Sequence, residues 1–319
     1  MHILSADTID FRAYTKDTEG SEKVRPASAY VQELIDNLGK QSTEIKSLLP
    51  WEKTHPLFQF RPGEVTLWAG VNGHGKSLVT GMASMSLCTQ GEKVCIASFE
   101  MKPRKTLERM ARQWSGEAPS GEWMENAEVI ESFRDLYSQF KEWSKDLWLY
   151  DQQGTVDSDL LIGVVRYAAT ELKVTHFVID SLMKCVQGED DYNGQKSFVD
   201  RLTSLARDLN IHIHLVHHIR KLENEGKTPD KTDVKGSGSI TDQVDNVLMV
   251  WRNKPKEKDI AAGKKTAFDD PDALLICDKQ RNGEWEGRIA LWYDKASQQF
   301  VASPGAAPLT LYNWPHWRS

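Results

Sequence analysis

Val65-Thr66-Leu67-Trp68-Ala69-Gly70-Val71-Asn72-Gly73-His74-Gly75-Lys76-Ser77 joins a short apolar run to the pattern GxxxxGK[ST]. The run Val65–Ala69 reads as a buried strand, and the residues after Ser77 carry the spacing of an amphipathic helix. A glycine-rich turn in that setting has a specific use. Backbone N–H groups at the helix N-terminus close around phosphate oxygens, and the glycines let the main chain come near enough to do so. Gly70, Asn72, Gly73, His74 and Gly75 are therefore the expected cradle, with Lys76 reaching the β and γ oxygens and the Ser77 hydroxyl binding Mg²⁺. The flanking strand and helix separate this stretch from a chance match in a loop. ATP and Mg²⁺ are the cofactors it implies.

Downstream, similar runs recur between helix-length segments: Val94–Phe99, Leu147–Tyr150, Phe177–Ile179, Ile211–Val216, Val247–Trp251, Leu274–Cys277 and Ile289–Trp292. With helices such as Leu160–Leu172 and Ser197–Leu209 between them, they predict an α/β fold whose mostly parallel central sheet has helices on both faces. Trp68, Trp251 and Trp292 fall on these strands and are expected in the core. A magnesium-bound nucleotide needs a carboxylate at a neighbouring strand end, and Phe177-Val178-Ile179-Asp180 supplies it. Hydrolysis needs a group that orients water; Glu100 ends the strand after the P-loop helix and is the candidate.

The net charge of −6 excludes a protein coated all over in basic residues, but not a local basic lining. Cys88, Cys95, Cys185 and Cys277 form no CxxC pair and read as free thiols of a reducing compartment. The first residues carry no signal pattern, and no run approaches the roughly 18 apolar residues of a membrane helix. A cytoplasmic chain with no membrane partner is the expectation. Residues 1–55 read as a polar arm with an amphipathic helix over Ser28–Leu38, 56–302 as the main domain, and 303–319 as a flexible tail. The charged stretches Arg220–Lys235 and Asn253–Asp270 lack periodicity and read as surface loops.

Taken in order, the P-loop, Ser98-Phe99-Glu100-Met101, Val178-Ile179-Asp180, His217-His218-Ile219-Arg220, Lys235-Gly236-Ser237-Gly238-Ser239-Ile240 and Lys279-Gln280-Arg281-Asn282-Gly283 resemble the RecA-like motor domain of DnaB-type replicative helicases. The same set is similar to the helicase half of phage primase-helicases and to Twinkle. The resemblance implies a homo-oligomeric ring, normally a hexamer, with ATP between subunits and single-stranded DNA in the channel. It implies that Lys279 and Arg281 reach the γ-phosphate held by the next subunit, a contribution worth roughly 10³–10⁵ in rate. His218 corresponds to the phosphate sensor, with His217 as the alternative one residue away. Arg252 and Tyr293 are similar to residues that flank the nucleotide base.

For DNA, Arg220 and Lys221 in one loop and Lys235, Gly236 and Gly238 in another offer cations and backbone N–H groups to phosphates. Such contacts imply sequence-independent binding that weakens with salt. The family implies 5′ to 3′ travel. The short arm holds no primase, so priming and synthesis are expected from a separate primase and DNA polymerase. The arm helix is expected to pack on the neighbouring subunit. A RecA-type recombination protein that forms filaments on single-stranded DNA is the competing reading.

Overall fold

A computed structural model describes residues 2–5, 8–15, 47–117, 126–188, 190–220, 222, 224, 226–235, 238–309 and 311. The eight apolar runs form β2 to β9, and two short strands join them: β1 (His2–Leu4), β2 (Val65–Ala69), β3 (Val94–Ser98), β4 (Leu147–Tyr150), β5 (His176–Asp180), β6 (His212–Val216), β7 (Asn246–Arg252), β8 (Ala273–Gln280), β9 (Gly287–Asp294) and β10 (Gln299–Val301). The sheet runs β1-β4-β3-β5-β6-β2-β7-β8-β9-β10. Neighbours are parallel from β1 through β7, then antiparallel from β7 to β10.

The helices are α1 (Lys76–Thr89), α2 (Pro103–Ser115), α3 (Ala127–Trp143), α4 (Ser158–Thr170), α5 (Tyr192–Leu209), α6 (Ser239–Gln243) and α7 (Lys254–Ala261). Side chains alternate across a strand, so each parallel strand feeds two cores. Leu67, Cys95, Phe177 and Met249 join the core beneath α4 and α5. Trp68, Ile96, Val178 and Leu248 join the core beneath α1 and α2. Burial on both faces is why these strands read as unbroken apolar runs rather than alternating ones.

Several expectations change. The first residues are not a free arm: β1 pairs with β4, and Phe11 is buried edge-on to Tyr150 and Tyr167 at 5.8 and 5.5 Å. Leu48, Leu49 and Trp51 are also buried, and the Trp51 indole N–H donates to the Phe300 carbonyl at 2.6 Å. A three-residue strand is too short to signal itself, and a lone aromatic carries no period. The Ser28–Leu38 pattern lies outside the described residues. Within Asn253–Asp270, expected as a loop, α7 forms because the Asn253 side chain accepts from the Lys256 N–H and Pro255 suits a first turn. At the other end, Leu309 exchanges two hydrogen bonds with the Gln299 side chain and Leu311 is buried, so the segment after 302 begins packed rather than free. Trp68 and Trp251 are buried as expected, whereas Trp292 is half-buried beneath the Lys53 ammonium.

Candidate nucleotide-binding site

Parallel strands point their carboxyl ends the same way, so the residues just beyond them collect along one edge of the sheet. After β2 comes Gly70, after β3 Glu100, at the end of β5 Asp180 and after β6 His218. Glu100, Asp180 and His218 line, with Lys76, Ser77 and Arg109, a cleft of about 350 Å³. Gly73 and Gly75 hold φ values of +78° and +90°, a region that L residues with side chains rarely adopt. At Gly70 the constraint is approach, since an added Cβ would lie 2.5 Å from the Val250 carbonyl oxygen.

The Lys76 ammonium donates to the Gly70 and Val71 carbonyls at 2.9 and 3.1 Å. Burial lowers its pKa to about 8, with Asp180 and Glu100 pulling the other way. The Ser77 hydroxyl donates to Asp180 Oδ2 at 2.7 Å. Burial raises the Asp180 pKa, and the Ser77 hydrogen bond opposes it. A hydroxyl beside a buried carboxylate is a hard-oxygen pair that suits Mg²⁺ with retained waters. The glycine cradle and Lys76 next to it suit a triphosphate.

Glu100 and His218 face each other across the cleft, with His218 Nε2 3.9 Å from Glu100 Oε1. His217 is fully buried and bonds the Lys235 carbonyl at 2.8 Å, so of the two histidines His218 is the one on the cleft. His74, expected in the phosphate cradle through its backbone N–H, turns its side chain inward. Its Nδ1 accepts from the Arg252 N–H at 3.1 Å and so fastens the P-loop to the end of β7. Burial first, then Lys254, Lys76 and Arg252, lower its pKa to about 4, which keeps that nitrogen free to accept.

Arg252 lies with its guanidinium carbon 6.0 Å from the Tyr293 ring centroid and pairs with Glu257, so these two residues adjoin each other beside Gly73. Arg109 was not read from the sequence. It sits on α2 three residues after buried Thr106 and directly before buried Met110, at the edge of the helix's inner face. That spacing could have marked it.

Lys279 and Arg281 are elsewhere. Lys279 pairs in register with Val247 at the start of β7, whereas the P-loop edge is reached at Arg252. At about 3.3 Å per residue the five steps from Val247 to Arg252 span roughly 17 Å. The Lys279 ammonium donates to the Thr241, Asp242 and Val244 carbonyls at 2.7, 3.0 and 2.7 Å. Arg281 pairs with the buried Asp245 carboxylate at 3.1 Å. Arg220 is exposed, and its N–H donates to the Asp233 carbonyl at 2.7 Å. The Lys235 N–H donates to the His218 carbonyl at 3.1 Å, which joins the two expected DNA loops at their bases. Gly238 leads into α6, while Lys221 and Gly236 lie outside the described residues.

Comparison with known proteins gives this arrangement relatives. The DNA helicase/primase of Enterobacteria phage T3 is 23% identical over 210 residues, which cover 61% of this chain and 36% of that protein. The Twinkle homolog protein, chloroplastic/mitochondrial, of Arabidopsis thaliana is 24% identical over 220 residues, covering 64% of this chain and 30% of that protein. The chain thus spans about a third of the length of these two relatives. Among solved structures, one described as an ATPase domain aligns with a TM-score of 0.66 at 18% identity, covering 89% of this chain and 99% of that one. A DnaB-like replicative helicase, described with its interactions with primase, aligns with a TM-score of 0.68 at 15% identity, covering 88% and 68%. The profile of the DnaB-like helicase C-terminal domain matches residues 56–302, most of the sequence, and the chain belongs to that family.

Proposed function

We propose that this chain is an ATP-driven motor that forms a homo-oligomeric ring, a hexamer, moves 5′ to 3′ on single-stranded DNA and unwinds duplex at a replication fork. The observation that carries this reading is the split of the candidate machinery between the two edges of one sheet. Lys76, Ser77, Glu100, Asp180 and His218 share the cleft, whereas Lys279 and Arg281 sit at the far edge. A cation that far away serves hydrolysis only at a neighbour's nucleotide, so the split favours an assembly with shared sites. The family match supports the helicase reading, and the filament-forming alternative has no such support.

In this reading Lys76 and the cradle hold the phosphates, with Ser77 and Asp180 holding Mg²⁺. The metal, when bound, neutralises charge on the β and γ oxygens. Glu100 orients water and draws its proton. His218 and Arg109 face the terminal phosphate, and Lys279 and Arg281 approach it from the next subunit. Arg252 and Tyr293 flank the base. Arg220, Lys221, Lys235, Gly236 and Gly238 take the DNA backbone, which carries no base identity. The motor unit is residues 56–302; a separate primase and DNA polymerase complete the fork.

Mixing Arg281→Ala with Lys76→Ala chains tests the shared site. Each alone should lose nearly all DNA-stimulated hydrolysis. An equal mixture rebuilds intact interfaces at about one in four positions and should recover a matching share of activity. Normal activity of Arg281→Ala alone, or no recovery in the mixture, sinks the assignment.

A further inference from the structure

His217 does not line the cleft, yet it is completely buried, and its imidazole meets a main-chain group of the second loop. The atom it meets is the carbonyl of Lys235, 2.8 Å from Nε2. A carbonyl only accepts, so Nε2 carries the proton and donates. The other backbone group of Lys235, its N–H, donates to the His218 carbonyl at 3.1 Å, and Ile219 bridges to Val234 beside it. The residue that opens the second DNA loop is therefore gripped on both of its peptide groups by consecutive histidines. Strand alternation explains the division of labour. Side chains of neighbouring residues leave an extended segment on opposite sides, so His218 faces Glu100 across the cleft while His217 faces the loop.

We infer that His217 is a positioning residue that makes the loop opening at Lys235 move with the strand end bearing His218, and so transmits the state of the terminal phosphate to the DNA contact. This rests on the function proposed above. The physical argument is one of stiffness. A single hydrogen bond at one peptide group would let Lys235 pivot. Bonds at both, from a buried donor and from the strand's own carbonyl, hold it to the strand end as one body. A shift of the His218 backbone then carries Lys235 with it. With an apolar side chain at 217 the Lys235 carbonyl loses the His217 donor, and the grip on that residue is weakened at one of its two peptide groups.

The test compares His217→Leu, which removes the donor at similar bulk, with His217→Gln, which returns an N–H at similar reach. Hydrogen exchange of the full chain, without nucleotide or DNA, reads the clamp directly. Leucine should speed exchange at the Lys235 amide roughly tenfold and glutamine should restore it, since the coupling at stake is of modest size. Unchanged exchange in a folded leucine variant overturns the clamp; where that variant does not fold, faster exchange in the glutamine variant than in the wild type does the same. Hydrolysis reads the coupling. Stimulation by single-stranded DNA should fall roughly tenfold in the leucine variant and return in the glutamine variant, with DNA-free hydrolysis within about twofold of wild type. Full stimulation with leucine, or none with glutamine, overturns the coupling. A wild-type protein whose hydrolysis ignores DNA overturns the proposed function instead, whatever the exchange result.

Discussion

Lys76 is the residue whose chemistry is most exposed to measurement. Its pKa of about 8 means that the ammonium is charged below that pH and increasingly neutral above it. Phosphates favour the charged form, so nucleotide affinity should be full below about pH 8 and fall by up to about tenfold per unit above it. Titrating the dissociation constant of an ATP analogue from pH 7 to about 10 checks this; a flat profile counts against it. A second titratable group is structural. Trp68 Nε1–H donates to His214 Nδ1 at 3.2 Å, which leaves His214 Nε2–H to donate to His176 Nδ1 at 3.0 Å. His212 Nδ1–H donates to the Arg61 carbonyl at 2.7 Å, and its Nε2 accepts from the Thr66 hydroxyl at 2.8 Å. Three of these four bonds end on an imidazole nitrogen as acceptor and need that ring neutral, whereas the one from His212 to Arg61 is open to both forms. Burial lowers the His212 pKa to about 4, and that of His214 well below the usual value. The unfolded chain then binds protons that the folded one refuses. Stability should be constant above about pH 6.5 and decline down to about pH 4, by on the order of 3 kcal/mol for His212 alone. Urea midpoints at pH 7 and 5 decide it, and equal midpoints would be the adverse result.

Helix α4 shows how one glycine makes room for an element that the sequence hides. Gly163 lies under the turn Phe11–Tyr14, where an added Cβ would come 2.2 Å from the Phe11 carbonyl oxygen. Close approach lets Phe11 reach Tyr150 and Tyr167, while Tyr14 meets Tyr167 edge-on at 5.2 Å. Gly163→Ala should lift the turn off α4 and cost about 1–3 kcal/mol, the usual range for overpacking. Thermal unfolding gives the loss, and hydrogen exchange over residues 8–15 gives its place. A variant as stable and as protected as wild type would mean that the turn adds little to the domain.

For the whole molecule, charge and assembly are linked. A net charge of −6 is compatible with a DNA-binding ring only if cations gather on one surface, and Arg220 and Lys235 both belong to the paired loop bases, Arg220 opposite Asp233 and Lys235 opposite His218. Affinity for single-stranded DNA should therefore fall steeply with salt and vary little with sequence. The role of the arm needs a selective test. Removing residues 1–55 would also remove β1, Phe11, Leu49 and Trp51, so loss of a ring could simply reflect loss of core. Leu34→Glu with Leu38→Glu alters only the amphipathic pattern within that arm. We expect this variant to keep the wild-type melting temperature and to scatter light as a monomer. Intact rings from it would dismiss the arm as the assembly element.

Much of the cleft was readable in advance because its chemistry is local. Glycines, lysine and serine act within eight consecutive residues, and Glu100 and Asp180 close strands whose apolar runs announce themselves. Parallel strands then bring their ends together without further instruction. Distance along the chain hides the rest. No spacing rule tells that the His74 side chain turns inward to hold β7, since that depends on a bond to Arg252, or that Phe11 fits over Gly163. The choice between His217 and His218 could not be made from two adjacent identical letters. It depends on which side of the strand end faces Glu100 and which faces Lys235, and only packing settles which side is which.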